Sequence, residues 1–151
     1  MDMDEQALAK LKPKQAARLA AVQAQFQSEQ DVASIEMIIS QFVDHRLPES
    51  ADTDLFEQVA KGVAASMPLI DQNIAGALNE KWTVDRLDPT LRAILRCGIF
   101  ELMQNRDYPA GAILQAYVDV AAAFFGDRET AFANGVLDRL ARDLRPQNAK
   151  S

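Results

Sequence analysis

The stretch DPTLRAILRCGIFELM, residues 88–103, carries the strongest structural signal in the chain. Asp88 suits a helix N-cap, and Pro89 suits the first helical position, where its missing N–H costs nothing. Apolar residues then recur with helical spacing, at Leu91, Ile94, Leu95, Gly98, Ile99 and Leu102. Because this apolar face is wide, we expect the helix to lie at the centre of the fold.

Helical spacing continues on both sides of this stretch, and no segment shows convincing alternation of apolar and polar residues. The sequence therefore predicts an all-α fold of about seven helices. The first helix is expected over residues 13–28 and the last over residues 129–144. The predicted starts between them are an N-cap at Asp31, an N-cap at Asp52 or Thr53, Pro68 after a break at 66–68, and Asp88. A sixth helix is expected after a break at NRDYP, residues 105–109, with Gly126 as its C′ residue.

The expected organisation is one helical domain over residues 12–145. A polar N-terminal extension, residues 1–11, precedes it, and a loose C-terminal tail, residues 146–151, follows it.

An Asn-Gly pair lies inside the last predicted helix, although this pair is a strong turn signal. Glycine there costs roughly 1 kcal/mol relative to alanine. For Gly135 the favoured explanation is the close approach of a neighbouring helix. Asn134 has two open interpretations, which are packing within the fold and an outward side chain that contacts another molecule.

Composition limits the classes of function. The chain has 22 acidic residues against 16 lysines and arginines, a formal net charge of -6. This charge disfavours unaided binding of nucleic acid, but it leaves open a local basic patch or binding shared with a basic partner. A single cysteine fits a reducing compartment. The acidic start MDMDEQ does not resemble a signal peptide, and no apolar run approaches a membrane span, so we expect a cytoplasmic protein.

Catalytic chemistry has little support in the sequence. His45 is the one histidine, and its place beside Arg46 at a predicted helix end favours a charge–dipole role over metal binding. Cys97 lies next to Gly98 in the apolar helix, which favours a small core residue over a nucleophile. No phosphate-binding glycine loop is recognisable. We therefore predict a non-enzymatic protein without cofactor or metal.

Two groups of basic residues are candidates for phosphate contacts. Lys12, Lys14 and Arg18 occur together at the start of the first helix with no acidic residue between them. The second group lies at and beyond the end of the last helix and consists of Arg139, Arg142, Arg145 and Lys150. The alternative for the first group is a solubilising helix end, and for the second a favourable interaction with the helix dipole.

Three stretches resemble the NusB family of bacterial transcription antitermination factors. WTVDRLDPTLRAILRCGIFELM, residues 82–103, is similar to the central signature of that family. AFANGVLDRLARDLRP, residues 131–146, and RLAAVQAQFQSE, residues 18–29, are similar to its C-terminal segment and its first helix. The resemblance covers nearly the whole chain from Lys12, and it implies about seven helices in two packed sub-bundles.

The resemblance also implies a function. NusB-like proteins pair with NusE, a small-subunit ribosomal protein, and the pair binds boxA, a single-stranded element of nascent RNA. The bound pair joins an RNA polymerase antitermination complex and supports transcription of ribosomal RNA operons. A basic partner would supply positive charge that this acidic chain lacks.

Carried over residue by residue, the resemblance implies an RNA-binding role for the start of the first helix. Lys12, Lys14 and Arg18 match the arginine-rich start of the family in charge. Gln15 and Ala16 stand where the family usually has arginines, and Gln15 remains an RNA-binding candidate.

The last helix carries the other implied RNA contacts. Phe132 matches a family aromatic that can stack on a base, with core packing as an equal alternative. Asn134 matches a family asparagine whose amide can read a base edge, and Arg128 in the loop just before this helix could reach a phosphate. In the preceding helix, Gln115 and Ala116 replace the usual Asn-Glu pair.

This thinning of polar residues supports an alternative function. The chain would then be a NusB-fold protein–protein interaction module with weak or lost RNA binding, and a ribosomal RNA methyltransferase would be its partner. Self-association as a homodimer through the RNA-binding surface is a further possibility that the resemblance implies.

Overall fold

The computed structural model describes residues 4–79 and 81–146, and over these ranges the chain is helical without β-strands. Its α-helices there are α1 (Glu5–Ala9), α2 (Pro13–Gln30), α3 (Ile35–Gln41), α4 (Thr53–Ala77), α5 (Pro89–Gln104), α6 (Ala110–Phe124) and α7 (Asp127–Leu144). A π-helical turn, Phe42–Arg46, continues α3, and a 3-10 turn, Val84–Arg86, precedes α5. The predicted all-α class with about seven helices is confirmed.

The start of α3 differs from the prediction. Ser34, rather than Asp31, is the N-cap, and its hydroxyl oxygen accepts a hydrogen bond from the Met37 N–H at 3.3 Å. Helix α2 extends to Gln30, which makes Asp31 the C-cap of α2. Both residues have side chains suited to capping, and the additional half-turn of α2 leaves only Ser34 in position to cap α3.

The predicted third and fourth helices form the single element α4. The expected break at residues 66–68 is present as a kink, since Ser66 has φ -114° and ψ 15° within the helix. Pro68 explains the kink, because its ring lacks an N–H and crowds the carbonyl of Ala64 one turn earlier. The predicted cap at Asp52 is confirmed, with its Oδ1 accepting from the Leu55 N–H at 3.0 Å.

The described residues up to Ala65 form one compact unit. Leu8 of α1 is fully buried, so the polar N-terminal extension contains a helix that contributes to this core. The rings of Phe42 and Phe56 stack in the same unit, with centroids 5.6 Å apart.

The described residues from Ser66 onward form a second compact unit, in which α5, α6 and α7 pack against one another. Helix α5 is buried along most of its length, as its wide apolar face predicts. A Cβ atom at Gly98 would lie 2.9 Å from Leu137 Cδ2 and 3.4 Å from the ring of Tyr117. The glycine therefore allows the close approach of the three helices.

Buried polar groups in the second unit are hydrogen-bonded. The Glu101 carboxylate, fully buried, accepts from the Tyr117 hydroxyl at 2.5 Å and from the Asn105 amide at 3.0 Å. The Arg96 guanidinium makes two hydrogen bonds of 2.8 Å to the Asp71 carboxylate. These pairs connect α5 to α6 and to the second half of α4, and they satisfy charges that would be costly to bury alone.

The junction between α6 and α7 is tight. Phe125 is the C-cap of α6, and Gly126 is at once the next residue and the N-cap of α7. Gly126 thus follows the helix as predicted, but its φ of -81° is not left-handed. Helix α7 begins at Asp127, two residues before its predicted start. Of the tail that we expected to be loose, residues 147–151 lie outside the described residues.

Candidate nucleic-acid interface

A surface groove in the second unit is lined by the start of α5, the first turns of α7 and the segment that precedes α5. Its lining residues are Trp82, Leu87, Asp88, Leu91, Arg128, Glu129 and Phe132. Leu87 and Leu91 are buried, whereas Trp82 remains 47% exposed. We call this feature the Trp82–Phe132 groove.

Hydrogen bonds to backbone carbonyl oxygens order the segment that carries Trp82 and connect its end to α5. The Trp82 N–H donates to the carbonyl oxygen of Asn79 at 3.1 Å. Arg92 of α5 donates to the carbonyl oxygens of Val84 at 3.1 Å and Leu87 at 2.8 Å. A half-exposed aromatic ring is thereby carried on a segment that hydrogen bonds fix in place.

The charged groups of the groove have different structural roles. Asp88 caps α5, since its Oδ1 accepts from the N–H groups of Thr90 at 2.8 Å and Leu91 at 3.2 Å. Arg128 and Glu129 come from the first turn of α7, where Arg128 is exposed and Glu129 is half-buried. The groove therefore presents a carboxylate and a guanidinium in addition to the capping aspartate.

The structure brings two of the predicted α7 residues together. Arg128 and Phe132 both line the groove, and Phe132 is half-buried, so its ring packs in the fold while part of it stays accessible. Asn134 is exposed on the same helix but is not among the groove residues. The explanation expected for Gly135 is wrong, because the residue is exposed and a Cβ there would meet nothing within 4 Å.

The remaining predicted residues lie at the start of α2, in the first unit. Lys12 is the N-cap, and both Lys12 and Lys14 are exposed. Gln15 is half-buried, and Arg18 is only 6% exposed. No acidic residue occupies the first turn, and lysines there oppose the helix dipole, so helix stability does not account for them. The accessible positive charge of this group comes from the two lysines.

The second basic group has mainly structural contacts. Arg145 is 2% exposed and donates to the carbonyl oxygens of Leu102, Tyr108, Glu101 and Asn105. Burial lowers the pKa of its guanidinium from the usual value, nearby Arg106 lowers it further, and Glu101 raises it. Arg145 therefore holds the C-terminal end of α5, and the phosphate-binding role considered for it is wrong.

The other members of that group lie near or beyond the end of α7. Arg142 forms an exposed ion pair with Asp138 one turn earlier, at 3.0 Å. Arg139 is exposed and donates to the carbonyl oxygen of Ala77 at 3.4 Å. Lys150 lies outside the described residues.

Cys97 occupies the core, as predicted. It is fully buried, and burial raises the pKa of its thiol well above 9.0, with Glu101 adding to this effect and Arg96 opposing it. Among residues 4–79 and 81–146, no cluster of three or more potential metal ligands occurs. None of the helices described there is long and apolar enough to span a membrane.

Sequence reasoning did not select Trp82, Leu87, Leu91 or Glu129 as site residues. Trp82 had a detectable signal, because it is the single tryptophan and lies in a short polar connection outside the helical pattern. Glu129 had none, since an acidic residue in the first turn of a helix is common for electrostatic reasons.

The fold and the groove together define a class of protein. It is an all-α chain whose surface combines aromatic rings with cationic side chains, a combination typical of surfaces that bind single-stranded RNA. The model of the NusB family matches residues 15–142. This chain belongs to the NusB family.

Named relatives are similar in sequence to this chain over most of its length. Transcription antitermination protein NusB of Sphingopyxis alaskensis is 46% identical over 138 residues, which cover 86% of this chain and 93% of that protein. The protein of the same name from Caulobacter vibrioides is 40% identical over 144 residues, or 90% of this chain and 97% of that protein.

Solved structures show the same fold. NusB of T. maritima superposes with a TM-score of 0.79 at 28% identity, covering 91% of this chain and 96% of that chain. A chain in the crystal structure of antitermination factors NusB and NusE in complex with dsRNA superposes with a TM-score of 0.74, covering 85% of this chain and 96% of that chain. Its 19% identity supports the likeness of fold alone.

Proposed function

We propose that this chain is an RNA-binding transcription antitermination factor that acts with NusE on boxA-type single-stranded RNA. In this role it joins an RNA polymerase antitermination complex in the cytoplasm and supports ribosomal RNA transcription. The observation that carries the proposal is the Trp82–Phe132 groove, because its two aromatic walls lie on the two segments that most resemble the family, residues 82–103 and 131–146.

The chemistry of the two candidate surfaces suits unpaired RNA. Accessible faces of Trp82 and Phe132 are available for base stacking, which contributes roughly 1–3 kcal/mol per base. Arg128 beside them, and Lys12 and Lys14 at the start of α2, are exposed cations that can contact phosphates. With a net charge of -6, the chain needs the positive field of NusE to hold RNA firmly.

The alternative, an interaction module that has lost RNA binding, has less support. Relatives whose alignments cover 86% and 90% of this chain are named as antitermination proteins. The groove also keeps accessible aromatic and cationic groups despite the replacements at Gln115 and Ala116.

A titration of fluorescently labelled boxA RNA against this chain, NusE and their mixture tests the proposal. We expect weak binding to the chain alone and stronger binding to the mixture, measured as fluorescence anisotropy. A scrambled RNA of equal length is the control. Equal affinity of the mixture for both RNAs would overturn the proposal, and retrieval of a methyltransferase without NusE in a pull-down would favour the alternative.

A further inference from the structure

We propose that the Trp82–Phe132 groove binds one unpaired guanine, which stacks on the aromatic rings while the Glu129 carboxylate accepts hydrogen bonds from its Watson–Crick edge. The inference rests on the proposed RNA-binding function and adds the identity of the base. It also makes Trp82, Glu129 and Arg128 the residues that determine this step of recognition.

The lining of the groove favours a flat aromatic ligand. Leu87 and Leu91 are buried beneath it, and Trp82 keeps 47% of its surface exposed although the segment that carries it is fixed by hydrogen bonds. An indole has only two side-chain torsions, so it loses little conformational freedom when it stacks on a ligand. Phe132 supplies a second ring on the same groove.

The charges of the groove favour a base over a phosphate inside it. Two of its lining residues, Asp88 and Glu129, are acidic, and a phosphate would be repelled by both. Exposed Arg128 can instead contact a backbone phosphate at the rim. The groove thus suits a nucleotide whose base enters while its phosphate stays outside.

The carboxylate of Glu129 selects among the bases. The Oδ1 atom of Asp88 accepts two backbone hydrogen bonds, which orient this carboxylate as the N-cap of α5, so we assign the contact with the ligand to Glu129. An ionised carboxylate only accepts hydrogen bonds, through two adjacent oxygens. Guanine presents two adjacent donors, N1–H and the 2-amino group, which match this pair. Uracil presents a single N–H flanked by two carbonyl oxygens, and adenine and cytosine each present one amino group beside an acceptor nitrogen.

The single tryptophan of the chain provides a direct measurement, because its emission reports this groove alone. The probe is a 12-nucleotide oligouridylate with one central guanosine, titrated into the chain–NusE complex. Complexes containing Trp82→Phe provide the background to subtract. We expect quenching of Trp82 emission by this RNA, and at least severalfold weaker binding by RNAs that carry inosine or uridine at the same position.

Glu129→Gln is the diagnostic variant, since it keeps the length of the side chain but removes the carboxylate. We expect the preference for guanosine over uridine to fall by about tenfold, the size expected for losing a bidentate base contact. Asp127→Asn is the matched control, because it removes a charge from the same helical turn outside the groove lining and should leave the preference unchanged. Circular dichroism checks that both variants are folded.

The outcomes separate this inference from the proposed function. If boxA RNA binds the complex by anisotropy but Trp82 emission and the guanosine preference of the Glu129 variant are unchanged, the guanine site is wrong and the antitermination role stands. If the complex binds boxA RNA no more tightly than the scrambled RNA, the proposed function itself fails. Equal quenching by the guanosine, inosine and uridine RNAs would show a stacking platform without base reading, which also overturns the guanine assignment.

Discussion

Two helix-interior glycines, Gly98 and Gly135, have opposite surroundings. Gly98 is enclosed by Leu137 and Tyr117, and a Cβ there would come within 2.9 Å of the leucine. Gly135 is exposed, and a Cβ added there would have no neighbour within 4 Å. The first residue therefore determines how closely helices pack, whereas the second only weakens α7.

The two glycines should respond differently to substitution. We expect Gly135→Ala to raise the free energy of unfolding by about 1 kcal/mol, because alanine gains helix propensity without a clash. Gly98→Val should lower it by about 2 kcal/mol, because the added side chain overpacks the contact with Leu137. Urea denaturation followed by circular dichroism measures both. A destabilised Gly135→Ala protein would show that another part of the chain packs on this glycine.

Cys97 should make stability depend on alkaline pH. Burial, with a contribution from Glu101, raises the pKa of the folded thiol well above 9.0, so unfolding releases a thiol that ionises more readily. The buried neutral thiol adds to the free energy of unfolding. This contribution is complete below about pH 9 and is lost as the pH rises through the pKa of the folded thiol. We expect urea midpoints to fall above pH 9 less steeply in Cys97→Ala than in the unchanged chain. Identical slopes would contradict this.

At the level of helices, the end of α5 depends on a residue far away in sequence. The guanidinium of Arg145, just after α7, donates to carbonyl oxygens at Glu101, Leu102, Asn105 and Tyr108. A helix end leaves its last carbonyl groups without partners, and this side chain supplies them. The α5–α6 connection and the end of α7 are thereby joined.

Replacement of Arg145 should be among the most damaging single changes. We expect Arg145→Met to lower the free energy of unfolding by about 3 kcal/mol, because buried carbonyl groups lose a charged donor. Arg145→Lys should recover only part of this, since an ammonium lacks the planar fork. Arg142→Ala is the matched control, and the loss of its exposed ion pair should change stability by less than about 1 kcal/mol. Thermal unfolding ranks the three, and equal effects of Arg145→Met and Arg142→Ala would refute the assigned role.

For the whole molecule, the question is how a chain with a net charge of -6 can hold a polyanion. The exposed candidates that carry positive charge are Lys12, Lys14 and Arg128, which cannot outweigh the acidic surface at long range. A basic partner changes the field around them, so RNA binding should depend on that partner and on ionic strength.

The salt dependence of the complex measures the lysine contribution. For single-stranded RNA, each phosphate contact adds about 0.7 to the slope of log K against log salt concentration. We expect Lys12→Ala with Lys14→Ala to weaken boxA binding by the chain–NusE complex and to reduce that slope by about 1.4. Lys61→Ala, which removes an exposed charge from α4 in the same unit, should leave the slope unchanged. An unaltered slope in the double variant would exclude these lysines as phosphate contacts.

Local patterns predicted most of the helices correctly. Asp88 and Asp52 cap as expected, and the apolar face of α5 is buried, because capping and helical periodicity depend on residues close together in sequence. The predicted start of α3 was wrong because Asp31 and Ser34 are equally suited to capping, and the length of α2 decides between them.

Residue order alone therefore established the all-α class, the family and two of the groove residues, Arg128 and Phe132. Folding in three dimensions settled the exposure of Gly135, the burial of Arg18 and Arg145, and the presence of Trp82 beside Glu129 and Phe132. The division has a physical cause: helix formation is governed by neighbours within a few residues, whereas exposure and the composition of a groove depend on side chains that are distant along the chain and meet only when helices pack.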